Sequence, residues 1–477
     1  MANPFGLTFG KTFSLKLDGS EEWFDPCVWL DSPLCVDPFL MLDLEAEDEF
    51  KGAHDEIVGF FQRQINRVAA AGTNMNSPAI KTVIQALLMP EASELYLGYS
   101  EGVKGAGSGP GLAKLMVGAM MSAVAYGLTN IKHFEEISIL GDGIGPDRIS
   151  DAAAGITKWR FAQYTERVCK QLNVPVQKRV LDRAKYDLAQ DRWVAVEANL
   201  PINPKTKRPI LLTPQRFLRH LPTLGSDEFA QYAERKWKYD HRESLDKKLV
   251  TFDKEKVFAA ARKDPAVRNE FLTLAAKTGG EPYDFSQDKW GVKLTDSAES
   301  IVAEHPFQYK QPTNDKDMKA FVVALAKYFK HFIEQQKGWE LLWDRHYAKP
   351  EKAVQRLMFG IVFQICAANN VSVDPEVNAG RGPVDFKFSS GFNAKCLLET
   401  KLARNTKWIV SVTRQLPTYI VADIGKYGVY LLVSYDNFMH ENIVKLKEAA
   451  ASVASRGIEI DVMVVDASRN KQSASLL

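Results

Sequence analysis

The order of helical and extended patterns from Pro350 onwards is the feature that most constrains the fold of this chain. Apolar residues recur there at helical spacing in some segments and in short continuous or alternating runs in others. In order, the segments are a helix to about Asn369, strands near Val371, over 384–388 and over 395–402, a helix over 409–424, the strand YGVYLLVSY, a helix over 442–454, and the strand IEIDVMVVDA. This series predicts an α/β domain with a mixed central sheet.

The chain is too long for one ordinary core. At 477 residues, and with about one domain per 150 residues, we expect three domains. They are a mixed α+β region over 1–173 that senses or regulates, a basic region of strands and helices over 174–315, and a helical lead-in with the α/β domain over 316–477. The lead-in is a helical pattern from Asp317 to about Tyr347.

The composition excludes several classes of protein. It is 45% hydrophobic and 25% charged, and no run approaches the ~20 apolar residues of a membrane span. The start of the sequence lacks an apolar segment behind a basic one, so we expect a cytoplasmic protein with no membrane partner. The five cysteines are scattered, without the CxxC pairs of a zinc site, and should be reduced thiols.

The passage GPVDFKFSSGFNAKCLLETK carries the residues best suited to chemistry. Because side chains alternate along a strand, Glu399 and Lys401 should lie on one face. A short loop separates them from Asp385, so Asp385 and Glu399 can be neighbours on antiparallel strands. Two close carboxylates repel each other unless a cation lies between them, and such oxygen ligands suit Mg²⁺ or Mn²⁺. Lys401 can then orient or deprotonate an attacking water and offset charge that develops on a phosphate.

These residues resemble the motif of the PD-(D/E)XK nuclease superfamily. GPVD ends at Asp385 and ETK ends at Lys401, with one residue between the proline and the aspartate, a variation that the family tolerates. Gln415 and Tyr419 resemble the QxxxY motif of its RecB-like and Cas4-like branch. The resemblance covers about the last 130 residues. It implies a restriction-endonuclease-like αβββαβ core and an Mg²⁺-dependent nuclease, in which Gln415 and Tyr419 position substrate or water.

The family often adds an acidic residue on the helix before the first strand. Glu351 and Gln355 lie one turn apart on that helix, and Glu376 follows shortly before the motif. The resemblance leaves the choice among these three open. We take Glu351 as the metal ligand beside Asp385 and Glu399.

Basic residues are concentrated over 174–220, where 10 Lys and Arg face 4 Asp and Glu, whereas residues 1–60 have 3 against 13. We interpret two groups as nucleic-acid contacts, because lysine and arginine bind phosphates with release of counterions. One group is a basic helix face of Lys178, Arg179, Arg183 and Lys185, and the other is an exposed turn with Lys205, Lys207 and Arg208. Plain solvated surface is the alternative for each.

The resulting hypothesis is a cytoplasmic, Mg²⁺-dependent nuclease that cleaves DNA and acts in bacterial, antiviral defence or restriction. The rival is a non-catalytic nucleic-acid-binding or assembly subunit with a nuclease-like scaffold. The cluster of Asp385, Glu399 and Lys401 favours the enzyme, because a scaffold has no need of it. The sequence leaves open DNA versus RNA, endonuclease versus exonuclease, and whether a second copy or a defence-system protein is a partner.

Overall fold

A computed structural model describes residues 6–72, 74–89, 92–98, 109–128, 130–140, 144, 146–224, 226–242, 252–295, 297–378, 383–436 and 440–469. Residues 379–382, which precede Pro383 in the motif passage, lie outside this part. The described α-helices are Phe9–Thr12, Ala53–Ala71, Pro78–Ala86, Pro110–Ala125, Glu136–Leu140, Pro146–Ile156, Lys158–Gln171, Ser226–Asp240, Lys254–Lys263, Pro265–Thr278, Ala298–Glu304, Asp315–Gln335, Glu351–Ala368, Trp408–Val410, Leu416–Ala422 and His440–Ser452. None of these helices combines the length and the apolar character that a bilayer crossing needs.

The strands are β1 Cys35–Val36, β2 Gln177–Asp187, β3 Arg192–Leu200, β4 Leu218–Arg219, β5 Trp343–Asp344, β6 Tyr347–Ala348, β7 Ser372–Asn378, β8 Pro383–Ser389, β9 Lys395–Leu402, β10 Tyr427–Ser434 and β11 Glu459–Asp466.

The helices of the first region (residues 6–224) share their main hydrophobic core with the antiparallel hairpin β2–β3. Phe60, Phe61 and Phe161 are buried in this core, and Leu181 and Leu200 of the hairpin belong to the same cluster. Side chains on both sides of the predicted boundary at 173/174 therefore pack together, and this boundary does not divide two cores.

A change of core occurs further along the chain. Three helices between 226 and 278 surround a small cluster that includes Phe229 and Phe271. Val292 still belongs to the first core, whereas Leu294 belongs to the core of the C-terminal domain (residues 294–469). The transition lies in the polar stretch before the helical lead-in, although Leu7, Cys27 and Leu30 of the first region also pack into the core of the C-terminal domain.

The C-terminal domain contains a five-stranded mixed sheet in the order β11–β10–β9–β8–β7. The pairs β7–β8 and β8–β9 are antiparallel, and β9–β10 and β10–β11 are parallel. The helices Asp315–Gln335 and Glu351–Ala368 pack with Phe386 and Leu398 in one core, while the helices that follow β9 and β10 pack with Leu397 in another. The predicted α/β domain with a mixed central sheet is confirmed, and its elements follow in the predicted order.

The long helix predicted to continue to about Tyr347 ends earlier, at Gln335. Lys337 adopts a left-handed conformation with φ 59°, and a Cβ at Gly338 would lie 2.5 Å from the Phe332 ring. The backbone thus turns closely over its own helix, which a larger residue would obstruct. A short 3-10 turn and the hairpin β5–β6 replace the rest of the predicted helix.

The first region contacts the helix Glu351–Ala368 directly, which we call the Glu351 helix. The buried Arg356 donates hydrogen bonds to the carbonyl oxygens of Asp31 at 2.7 Å and Val292 at 3.2 Å, and to Ser32 Oγ at 3.2 Å. A guanidinium with three acceptors outside its own helix fixes its geometry closely. This contact places the first region next to the start of the Glu351 helix.

Candidate active site

Asp385 and Glu399 come together where β8 and β9 stop pairing through their backbones. The ladder between these strands ends at Phe386 and Leu398. Beyond it, Asp385 Oδ2 accepts the N–H of Thr400 at 2.6 Å, and Glu399 Oε2 accepts the N–H of Asp385 at 3.4 Å. The two carboxylates take the places of backbone acceptors, which brings them side by side as the strand alternation predicts.

This carboxylate pair is poorly neutralised. Glu399 is 0% exposed and Asp385 is 9% exposed. Burial raises the pKa of both carboxyls, and the charge of Asp385 raises the pKa of Glu399 further. The one partner of Glu399 Oε1 among the described residues is the Lys401 ammonium group, with Nζ 3.2 Å away. The site therefore holds a buried acceptor and excess negative charge, which a cation or a proton would relieve.

Lys401 is held between two carboxylates. Its Nζ donates to Glu351 Oε1 at 2.9 Å, and the N–H of Leu402 donates to Glu351 Oε2 at 3.1 Å. Burial lowers the pKa of Lys401, but the charges of Asp385, Glu399 and Glu351 outweigh it and hold this pKa above its ordinary value. The ammonium group stays charged in this arrangement, which suits an electrostatic role better than that of a base.

The three candidates for a further metal ligand lie in different places. Glu351 is engaged with Lys401, while Gln355 and Glu376 line a small pocket on the side of the first region. Glu376 has a left-handed φ of 51°, and its Oε1 pairs with Lys352 Nζ at 2.5 Å. Across the described residues, no three His, Cys, Asp or Glu side chains form a ready metal site. Glu351 would have to release Lys401 before it could join Asp385 and Glu399.

The segment with Gln415 and Tyr419 is helical from Trp408 to Ala422, in agreement with the predicted helix over 409–424. Residues Ser411–Gln415 form a π-helical turn between two α-helical segments. Proline lacks an N–H and clashes with the carbonyl four residues earlier in an α-helix. The wide turn directly before Leu416 gives Pro417 the second position of a new α-helical segment, and such turns are common at functional sites.

Gln415 and Tyr419 belong to one hydrogen-bonded network. Gln415 Nε2 donates to Tyr419 Oη at 3.1 Å, and Gln415 Oε1 accepts from Ser411 Oγ at 3.0 Å. Ser411 also interacts with the phenol of Tyr430, and burial raises the pKa of this phenol. Tyr430 lies on β10 and is the strand partner of Glu399. The sequence reasoning missed Tyr430, although its strand follows the Gln415 helix directly. The network connects the QxxxY residues to the strand beside Glu399.

The first group of basic residues lies on strand β2, so the predicted helix face is wrong. Lys178 pairs with Glu197 across the hairpin at 2.7 Å, and Arg179 bonds to Gln177. Lys185 Nζ lies 4.4 Å from the Trp159 ring centroid. The segment is extended because Leu181, Ala184 and Tyr186 pack into the first core, with a register shift between Leu181 and Lys185.

The second group forms the predicted turn, but its members differ. The side chains of Lys205, Lys207 and Arg208 are all exposed. Only Lys205 of the three has a described ion pair, because its Nζ pairs with Asp374 Oδ1 at 2.5 Å and lies 4.3 Å from the Trp29 ring centroid. Lys205 therefore links the first region to β7, whereas Lys207 and Arg208 face solvent.

Comparison with protein families divides the chain in a similar way. A model described as a domain of unknown function (DUF8370) matches residues 14–225, and a second (DUF8371) matches residues 318–437. The first match includes the hairpin β2–β3 and the basic turn, whereas the second includes Glu351, Asp385, Glu399, Lys401, Gln415 and Tyr419. No curated protein and no solved structure matches the chain significantly. The candidate active site thus falls wholly within the second matched domain.

Proposed function

We propose that the C-terminal domain is a metal-dependent nuclease that hydrolyses phosphodiester bonds in DNA. The observation that carries this proposal is the buried pair Asp385 and Glu399 beside the charged Lys401. The order of one helix, three antiparallel strands, a helix and a parallel strand supports a restriction-endonuclease-like αβββαβ core. The ETK motif lies on β9, the third strand of this order, and Gln415 and Tyr419 lie on the helical segment that follows it.

The carboxylate pair fits a hard divalent cation such as Mg²⁺ or Mn²⁺. Glu399 Oε1 is a buried carboxylate oxygen whose partner is the Lys401 ammonium group, and magnesium is commonly bound by one or two carboxylates together with waters. Asp385 and Glu399 would hold the cation, with Glu351 as a further ligand only after it leaves Lys401. When bound, the cation supplies positive charge that stabilises the developing charge on the phosphate oxygens.

The chain's own residues have separable roles in this proposal. The Lys401 ammonium group orients water and offsets negative charge as the phosphodiester reacts, because neighbouring carboxylates keep it protonated. Gln415 and Tyr419 position substrate or water through the network with Ser411. Phosphates further away are contacted by Arg179, Lys207 and Arg208. Lys178 and Lys205 do so after each leaves its carboxylate partner.

A cytoplasmic effector in bacterial defence is the biological role that we propose. The first region contacts the Glu351 helix through Arg356, so a change in the first region can reach the helix that carries Glu351. The rival function is a non-catalytic scaffold. It is favoured by the ion pair between Glu351 and Lys401, which occupies the groups that catalysis needs.

A substrate panel tests this proposal. The purified chain is incubated with closed circular DNA, linear DNA and RNA in Mg²⁺, in Mn²⁺ and in EDTA. Cleavage of DNA that requires a divalent cation supports a nuclease, and cutting of closed circles identifies an endonuclease. Absence of cleavage with every substrate and metal supports the scaffold instead.

A further inference from the structure

A cleft of about 640 Å³ lies between the first region and the C-terminal domain. Trp29 and Lys205 line it from the first region, and Phe363, Asn370 and Ser389 line it from the C-terminal domain. Ligand sites occur preferentially at junctions between domains, and volumes of roughly 300–1,000 Å³ are typical. The cleft has the size and position of a small-molecule site.

An aromatic side chain with a neighbouring cation lines this cleft. Lys205 Nζ lies 4.3 Å from the Trp29 ring centroid. Trp29 in turn packs against Phe363 edge to face, with ring centroids 4.6 Å apart. Aromatic faces beside cations suit nucleotides, since bases pack on rings and phosphates pair with ammonium groups.

The remaining polar lining suits a sugar and the edges of a base. Gln311 Nε2 donates to Ser390 Oγ at 3.2 Å, and Ser372 Oγ donates to Asp374 Oδ2 at 3.3 Å. Lys205 is paired with Asp374, whose side chain is 36% exposed, and an exposed ion pair contributes little stability. A phosphate can therefore replace Asp374 as the partner of Lys205 at small cost.

We infer that this cleft binds a nucleoside phosphate, with the base beside Trp29 and the phosphate on Lys205. The nucleoside phosphate is either a free nucleotide or one unit of a nucleic-acid strand. Strand β8 contributes Ser389 to the cleft and carries Asp385 four residues away, about 13 Å at strand spacing. The proposal of a nucleic-acid strand rests on the proposed nuclease function, because that strand would continue towards Asp385. The proposal of a free nucleotide does not rest on it.

Binding to the full chain in EDTA tests this inference without hydrolysis. Deoxyadenosine monophosphate is titrated by calorimetry, and a labelled single-stranded oligodeoxynucleotide by fluorescence anisotropy. Binding of the mononucleotide identifies a free ligand, and binding of the oligonucleotide alone identifies a strand site. Failure of both to bind overturns the inference, whereas binding without cleavage in Mg²⁺ would refute only the nuclease.

Three variants separate ligand recognition from the link between the regions. Lys205→Gln should weaken binding roughly tenfold, the scale of a lost charge-assisted contact. Lys16→Gln, at an exposed lysine of the first region that does not line the cleft, serves as the matched control with little change. Asp374→Asn should strengthen binding, since it frees Lys205 for phosphate. If Asp374→Asn weakens binding, or if both lysine variants have equal effects, Lys205 only joins the two regions and the inference is wrong.

Discussion

Neutralising Glu399 should stabilise the metal-free protein while it abolishes cleavage. The carboxylates of Asp385, Glu399 and Glu351 surround Lys401, Lys352 adds a second and more distant positive charge, and Glu399 is fully buried. Glu399→Gln removes one negative charge, and its amide oxygen can still accept the Asp385 N–H. Lys401 keeps Glu351 as its partner, so the substitution leaves no cation without a carboxylate.

The expected gain follows from removing a buried charge that Asp385 repels, and the loss of the ion pair with Lys401, 3.2 Å away, reduces it. We take the net gain as about 1–3 kcal/mol, the scale of one buried polar group. For a unit of the size of the C-terminal domain, each kcal/mol moves the melting temperature by about 2–4 °C. Glu399→Gln should therefore melt roughly 2–12 °C higher than the wild type in EDTA.

Thermal melts with and without Mg²⁺ make this prediction specific. Added Mg²⁺ should stabilise the wild type by about 2.7 kcal/mol at a concentration of a hundred times Kd, and should stabilise the variant much less. Glu351→Gln is the matched control. It loses a charged partner for Lys401 and the Leu402 N–H, so its melting temperature should fall. A lower melting temperature of Glu399→Gln in EDTA would refute the reasoning about the carboxylate pair.

Three further predictions concern other sites. Gln415→Ala and Tyr419→Phe should each lower the cleavage rate by roughly ten- to a thousand-fold with intact metal binding, and wild-type rates for both would show that the QxxxY resemblance is coincidental. Replacing Lys207 and Arg208 by glutamine should reduce the steepness of log K for DNA binding against log salt concentration by about 2, because about 0.9 counterion is released per phosphate contact. An unchanged slope would show that this turn is only solvated surface. Burial and the charge of Asp37 raise the pKa of Glu135 well above its ordinary value of 4.5, and neither of its carboxylate oxygens has a hydrogen bond. The contribution of Glu135 to the free energy of unfolding therefore falls as pH rises above about 4.5. Glu135→Gln should thus raise the melting temperature more at pH 8 than at pH 5, and an equal shift at both would contradict the raised pKa.

Local patterns were sufficient for the sheet and for the residues on one strand. The side chains of Glu399 and Lys401 share a face because alternation follows from the covalent geometry of any strand. The proximity of Asp385 followed from a short connection between two strands. The order of elements in the C-terminal domain was readable for the same reason, since each element is long and periodic.

Features that depend on packing between distant segments were not readable. The contact of Glu351 with Lys401 depends on how one helix lies at the end of the sheet. The π-helical turn before Pro417 could not be foreseen from a proline that usually marks a helix start. The spacing of the basic residues from Lys178 to Lys185 fits a helix, but the segment forms a hairpin because its apolar residues complete the first core.

One comparison tests the central proposal most directly: the wild type and Asp385→Asn are assayed side by side in Mg²⁺ for cleavage of circular and linear DNA. The substitution keeps the size of the side chain and an oxygen acceptor for the Thr400 N–H, so circular dichroism should show an unchanged fold. The proposed site predicts cleavage that requires a divalent cation in the wild type and none above background in the variant. Equal cleavage by both proteins, or cleavage by the wild type in EDTA, would contradict it.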